Sequence, residues 1–191
     1  SISAEVGIVN DFKKDLAKYF NRTYDFCTES DTSQTTGGSH MTIEVFKGVQ
    51  IAYLRRTGGY GAGNRQLMEE LKARLRAGHF FREDTTILGI ALDDPARTPE
   101  DRQRYDVGVV LTGAESPWDL PARGIDDGRY AIFEVPHTEA GVSTFWKNLP
   151  ELTAGLPLDP TRPVIERYAF QKISAHRCEF CVPLRECGSG S

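Results

Sequence analysis

The sequence predicts an α+β domain made of two strand–helix–strand–strand units that join into one sheet with both helices on one side. Three observations predict it. Short runs with strand-like alternation or β-branched character recur between residues 50 and 184. Two amphipathic helical stripes fall at corresponding places. The order of elements in the first half returns in the second. Each unit alone has a one-sided sheet and a single helix, too little to enclose a core, so the two must pack together.

The elements follow in order. QIAYLRR, Gln50 to Arg56, reads as a strand, and TGGYGAG as the turn after it. A helix is expected from Asn64 to Ala77, because Leu67, Leu71 and Leu75 recur at i, i+4 and i+8, and Gly78 offers a stop. TTILGIAL (85–92) and YDVGVVL (105–111) read as strands around the charged, proline-bearing loop DDPARTPEDRQR. The second half opens with the strand GRYAIFEV (128–135). The helix EAGVSTFWKNL (139–149) follows, with Val142, Phe145, Trp146 and Leu149 at helical spacing. PVIERYAFQ (163–171) and CEFCVPL (178–184) close it as strands.

The ends are set apart. Residues 1–40 hold one helical segment, Asp11 to Asn21, striped by Phe12, Leu16 and Phe20, then a polar Gly/Ser/Thr-rich linker. Gly38-Ser39-His40-Met41 resembles an expression scar, so this segment reads either as foreign or as a remnant of a DNA-binding domain. The expected domain spans 41–187, with 188–191 a linker-like tail.

Composition narrows the function. The 191 residues are 39% hydrophobic and 26% charged, which suits a globular domain with a real core. No apolar run approaches the roughly 20 residues of a membrane span. A net charge of −4 makes direct nucleic-acid binding by the main domain an unfavoured expectation. Four cysteines, Cys27, Cys178, Cys181 and Cys187, are too few for a disulfide framework, so a cytoplasmic location is expected.

The residue with most chemical content is Glu166. In a strand, Val164, Glu166, Tyr168 and Phe170 share one face, which sets a carboxylate in an apolar and aromatic row. A buried anion needs a protein donor, a proton or a ligand cation. Arg55 or Arg129 could pair with it at a sheet edge; the alternative is a counter-ion for a bound cation. Desolvation without ligand should raise its pKa.

IAYLRRTGGYG, ILGIALDDPARTP…RYDVGVVL, GRYAIFEV and RPVIERY…CEFCVPL together resemble a GyrI-like domain, the effector-binding module of AraC/Rob-type and BmrR-type regulators. The resemblance covers about residues 42–184. It implies a pseudo-twofold βαββ repeat, an antiparallel sheet with helices on one side and a central ligand cleft. It also implies binding of lipophilic cationic or aromatic compounds, with Glu166 facing the cleft. The partner would be a DNA-binding domain in a transcription regulator of multidrug-sensing type. Other members imply inhibition of DNA gyrase by protein contact, or hydrolysis of cyclopropane-type electrophiles. Pro136-His137-Thr138 and Asn148-Leu149-Pro150 depart from the family pattern and bear on the pocket rim.

The expected ligand-binding set is Glu166, Tyr168, Tyr60, Trp146, Trp118, Phe133 and Phe170; the aromatic faces suit flat, cationic ligands. Phe145 reads as core. For catalysis, Ser143 and His137 lack a nucleophile elbow. An enzyme here would use Glu166 as general base on water, with Tyr60 or Tyr168 as acid or orienting donor. The leading expectation is non-catalytic binding. TGGYGAG has neither the P-loop Lys-Ser/Thr nor GxGxxG spacing, reads as a flexible cleft loop, and no cofactor is expected. His176, Cys178 and Cys181 form only half a zinc pattern, and the odd spacing sends the thiols to opposite strand faces, so no metal is expected.

Overall fold

The computed structural model describes residues 41–113 and 119–186. The expected helix at Asp11–Asn21, Trp118, Cys27, Cys187 and the tail lie outside the described residues. Among the described residues eight strands form a single antiparallel sheet. In chain order they are β1 (Met41–Phe46), β2 (Gln50–Thr57), β3 (Thr86–Ala91), β4 (Arg104–Val110), β5 (Ala122–Gly124), β6 (Gly128–Pro136), β7 (Ile165–Ala169) and β8 (Arg177–Leu184). The helices are α1 (Ala62–Ala77), α2 (Glu139–Leu152) and α3 (Phe170–Ser174), with a 3-10 turn at Glu100–Arg102.

Across the sheet the strands run β1-β6-β8-β7-β3-β4-β2-β5. The halves therefore meet at the β7–β3 ladder. There Glu166 stands opposite Gly89, and Tyr168 opposite Ile87. The edge strands β1 and β5 are additions to the expected elements: β1 begins at Met41, the last residue of the scar-like run, and β5 has only three residues.

Strand alternation sorts the side chains into two layers. One buried cluster joins Leu67, Leu71 and Leu75 of α1 and Phe145, Trp146 and Leu149 of α2 to Val107, Phe133 and Phe180 of the sheet and to Val164 just before β7. The Phe145 and Phe180 rings stack at 4.1 Å, and Trp146 meets Phe180 edge-on at 5.4 Å. Thr138 caps α2 by accepting a hydrogen bond from the Gly141 N–H at 3.0 Å, an orphan donor of the first turn. On the other face Ile51, Leu88, Ile90, Ile132, Ile165 and Cys181 form a second cluster without helix residues. Charged pairs surround it. Asp106, fully buried, is held by Arg55 at 2.6 Å and Arg123 at 2.8 Å, while Arg167 is clamped between Glu44 and Glu179.

Strand β7 is shorter than its sequence pattern. The Phe170 N–H donates to the Thr85 carbonyl at 2.9 Å, and from there the chain turns into α3 rather than continuing extended. His176, at φ 56°, ends that connection and feeds β8. The run YAFQKIS contains no Gly or Pro to mark the change, so alternation carries the reading two residues too far.

Candidate functional site

A cavity of about 830 Å³ lies on the helix side of the β7–β3 junction. Glu166, Tyr168 and Tyr105 face it from the sheet, Met68 from α1, and Phe81 and Phe170 from the wall between. Alternation along β7 places Glu166 and Tyr168 on this side, and Arg167 on the other. Arg55, a possible partner for Glu166 by sequence, pairs with Asp106 on the far face instead.

Glu166 is held by phenols. The Tyr168 hydroxyl donates to its Oε2 in a short hydrogen bond, and the Tyr105 hydroxyl approaches the same oxygen at 3.5 Å. Among the described residues Oε1 has no partner, and no cation pairs with the carboxylate. Burial pushes the Glu166 pKa up to about 7, and the two phenol hydrogen bonds offset only part of that rise. Burial, reinforced by the adjacent carboxylate, holds Tyr105 and Tyr168 well above the ordinary phenol range. Both therefore remain donors at neutral pH.

Gly89 makes the cluster possible. A Cβ there would stand 2.3 Å from the Tyr105 hydroxyl and 3.4 Å from Glu166 Oε2. Sequence reasoning missed both Gly89 and Tyr105. Tyr105 carries a signal in retrospect, since it shares its strand face with Val107 and Val109. Gly89 becomes informative only once β3 is known to pair with β7.

The other expected residues divide. Phe170 lines the cavity and meets Phe81 edge-on at 5.8 Å, although it does so from α3 rather than from a strand. Tyr60, Trp146 and Phe133 are buried in the helix-side core and do not line the cavity. The Tyr60 hydroxyl lies 2.9 Å from the Asp93 and Arg104 carbonyls and accepts from the Asp93 N–H, bridging the ends of the loop between β3 and β4. That bonding leaves Tyr60 unsuited to act as acid or orienting donor toward Glu166. The glycine-rich turn beside it is pinned: Arg56 donates to the Gly59 carbonyl at 2.9 Å and to Asn64 Oδ1 at 2.8 Å.

His137 borders the cavity with its ring 5.6 Å from that of Tyr168. Burial, with Lys72 and His176 adding, lowers its pKa, so it faces the cavity as a neutral imidazole at pH 7. Cys178 and Cys181 fall in the helix-side and far-side clusters respectively, and burial pushes both thiols up to about 12. Among the described residues no three His, Cys, Asp or Glu side chains converge as metal ligands. No described helix is long and apolar enough to cross a membrane.

A second hollow, of about 930 Å³, lies on the opposite face. Its carboxylates are already matched: Glu44 and Glu179 with Arg167, and Glu134 with Lys172 and Arg177. The helix-side cavity is the better candidate because, among the described residues, the partners of its Glu166 carboxylate are hydroxyls and no cation.

Comparison with known proteins agrees with this architecture. The profile of the GyrI-like small molecule binding domain matches residues 39–185. The SPbeta prophage-derived YosT of Bacillus subtilis (strain 168), named as a candidate transcriptional regulator, is 39% identical over 148 residues, covering 76% of this chain and 99% of YosT. Among solved structures, the EcmrR C-terminal domain superimposes with a TM-score of 0.58 at 9% identity, over 79% of this chain and 100% of that one. A candidate transcription regulation protein of Staphylococcus aureus MU50 gives 0.51 at 10% identity, over 78% and 100%. These two structures share the fold. With the profile spanning most of the sequence and a relative this similar, the chain belongs to the GyrI-like small-molecule-binding domain family.

Proposed function

We propose that this domain binds a lipophilic, cationic aromatic molecule in the helix-side cavity, with Glu166 as its counter-ion. One observation carries the reading: a carboxylate on the sheet side of a cavity with apolar and aromatic walls and a charged α1 side, whose described partners are two phenols on one oxygen, leaving Oε1 open. Without ligand, a proton neutralises much of the population near pH 7. A bound cation takes over that task, and its attraction to the carboxylate in a partly desolvated site is several times what water allows. Met68, Phe81, Ile87 and Phe170 supply apolar and aromatic walls for a flat body. The name given to YosT supports a sensing role, in which ligand occupancy is passed to a DNA-binding partner.

The test is titration of the protein with a quaternary aromatic cation and a neutral molecule of the same shape. The cation binds saturably at one site, and Glu166→Gln weakens it at least about tenfold while sparing the neutral molecule. Equal affinity of the cation for both proteins refutes the counter-ion role.

The same cluster supports a second reading, hydrolysis of a strained electrophile. A carboxylate near pKa 7 is suited to take a proton from water, and Tyr168 to donate to a leaving atom. This reading requires turnover of a cyclopropane-type substrate that Glu166→Gln abolishes. Stoichiometric binding without product over hours rules it out.

A further inference from the structure

The mouth of the cavity is bordered by one face of α1, where Arg65, Glu69, Lys72 and Arg76 recur at helical spacing. Lys72 is neutralised along the helix by donating to Glu69 at 3.1 Å. Arg74, which does not line the cavity, is likewise paired with Glu70 at 2.8 Å. Arg76 has no such arrangement. Four residues before it stands Lys72, another cation, and three before it stands Ala73. Its guanidinium instead lies over the Phe81 ring, 5.0 Å from the centroid, and Phe81 leans edge-on against Phe170. Among the described residues no carboxylate is paired with Arg76. Arg74 and Arg76 both complement the negative end of α1, so that role does not explain why Arg76 alone is laid on the cavity wall.

The cavity is thus polarised. The sheet side carries Glu166 and its phenols, apolar side chains such as Met68 and Phe81 line the cavity as well, and the α1 side holds Arg76, which has no carboxylate partner among the described residues. The exposed Glu139 of α2 also lines the cavity. We propose that Arg76 recognises an anionic group and that the ligand class is amphoteric: a flat aromatic body with a cation or strong donor at the Glu166 end and an anionic group at the α1 end. This deepens the function proposed above and rests on it. A purely cationic ligand would leave Arg76 facing a like charge; an amphoteric one satisfies both ends.

A xanthene dye provides the matched pair: its ester is a pure cation and its free acid a zwitterion. Both are titrated at pH 8 and low salt into wild type, Arg76→Gln, Arg76→Lys and Glu166→Gln. Because Arg76 is exposed, its variants disturb no core packing. The expected result is that Arg76→Gln weakens the acid roughly two- to fivefold and leaves the ester unchanged or slightly tighter, as suits a solvent-exposed pair. Arg76→Lys retains most of the preference, and the difference fades as salt is raised. A change of equal size for both dyes, or none for either, overturns the role of Arg76 while leaving the cavity intact. If neither dye binds wild type, or Glu166→Gln leaves the ester unaffected, the cavity reading itself fails and this inference falls with it.

Discussion

Glu166 and Gly89 stand opposite each other across the β7–β3 ladder, and the side chain that Gly89 lacks is what admits the Tyr105 hydroxyl beside the carboxylate. The two halves of the sheet meet at this point, so the polar cluster sits at the seam of the fold. Glycine usually weakens a strand interior; here it marks a close approach.

Gly89→Ala should therefore damage the site and the fold together. The new Cβ would overlap the Tyr105 hydroxyl at 2.3 Å, so the ring must shift from its place beside Glu166. Overpacking of this kind costs about 1–3 kcal/mol, read by urea denaturation. Ligand affinity should fall as well.

Tyr168→Phe removes a hydrogen bond that favours the ionised carboxylate, so the Glu166 pKa should rise above its value near 7. Tyr105→Phe should act in the same direction but less, because its contact is the longer one, at 3.5 Å. Carboxyl carbon shifts followed by NMR across pH 5–9 would give both values. A fall in either pKa would contradict the assigned donors.

Glu166 also makes a signed prediction about stability. Its folded pKa is raised from an ordinary 4.5 to about 7. Between those values the folded state holds a proton that the unfolded state has lost, so stability declines as pH rises through this window and levels off above it. Glu44, Asp93, Glu134 and Asp159 have lowered pKa values and act in the opposite sense at acid pH. The difference between wild type and Glu166→Gln isolates the effect. The variant should gain on wild type from about pH 4.5 to pH 7.5, by about 1–3 kcal/mol in total.

Tyr60→Phe should cost about 1 kcal/mol of stability by unfastening the loop ends at Asp93 and Arg104. It should leave ligand affinity unchanged, since Tyr60 does not line the cavity. A binding defect without a stability loss would return Tyr60 to the site.

Particular residues show why some features were legible in the sequence and others not. Leu67, Leu71 and Leu75 announce α1 because burial on one helical face imposes a 3.6-residue period. Glu166 stood out because it interrupts an apolar alternation, and its neighbour Tyr168 followed from the same period of two. The fate of Tyr60, Phe133 and Trp146 was hidden, because an aromatic ring serves core and cavity equally well. Deciding between them needs the position of α2 over β6 and the hydrogen bonds of the β3–β4 loop, both long-range properties. Arg76 and Gly89 gain meaning only from neighbours far along the chain.

The most direct test of the counter-ion account is calorimetry of a permanently cationic aromatic ligand at pH 7 in two buffers of different ionisation enthalpy. If Glu166 titrates near 7 and pairs with the ligand, binding should release about half a proton per site in wild type and none in Glu166→Gln. Identical, buffer-independent heats and equal affinities in the two proteins would contradict it.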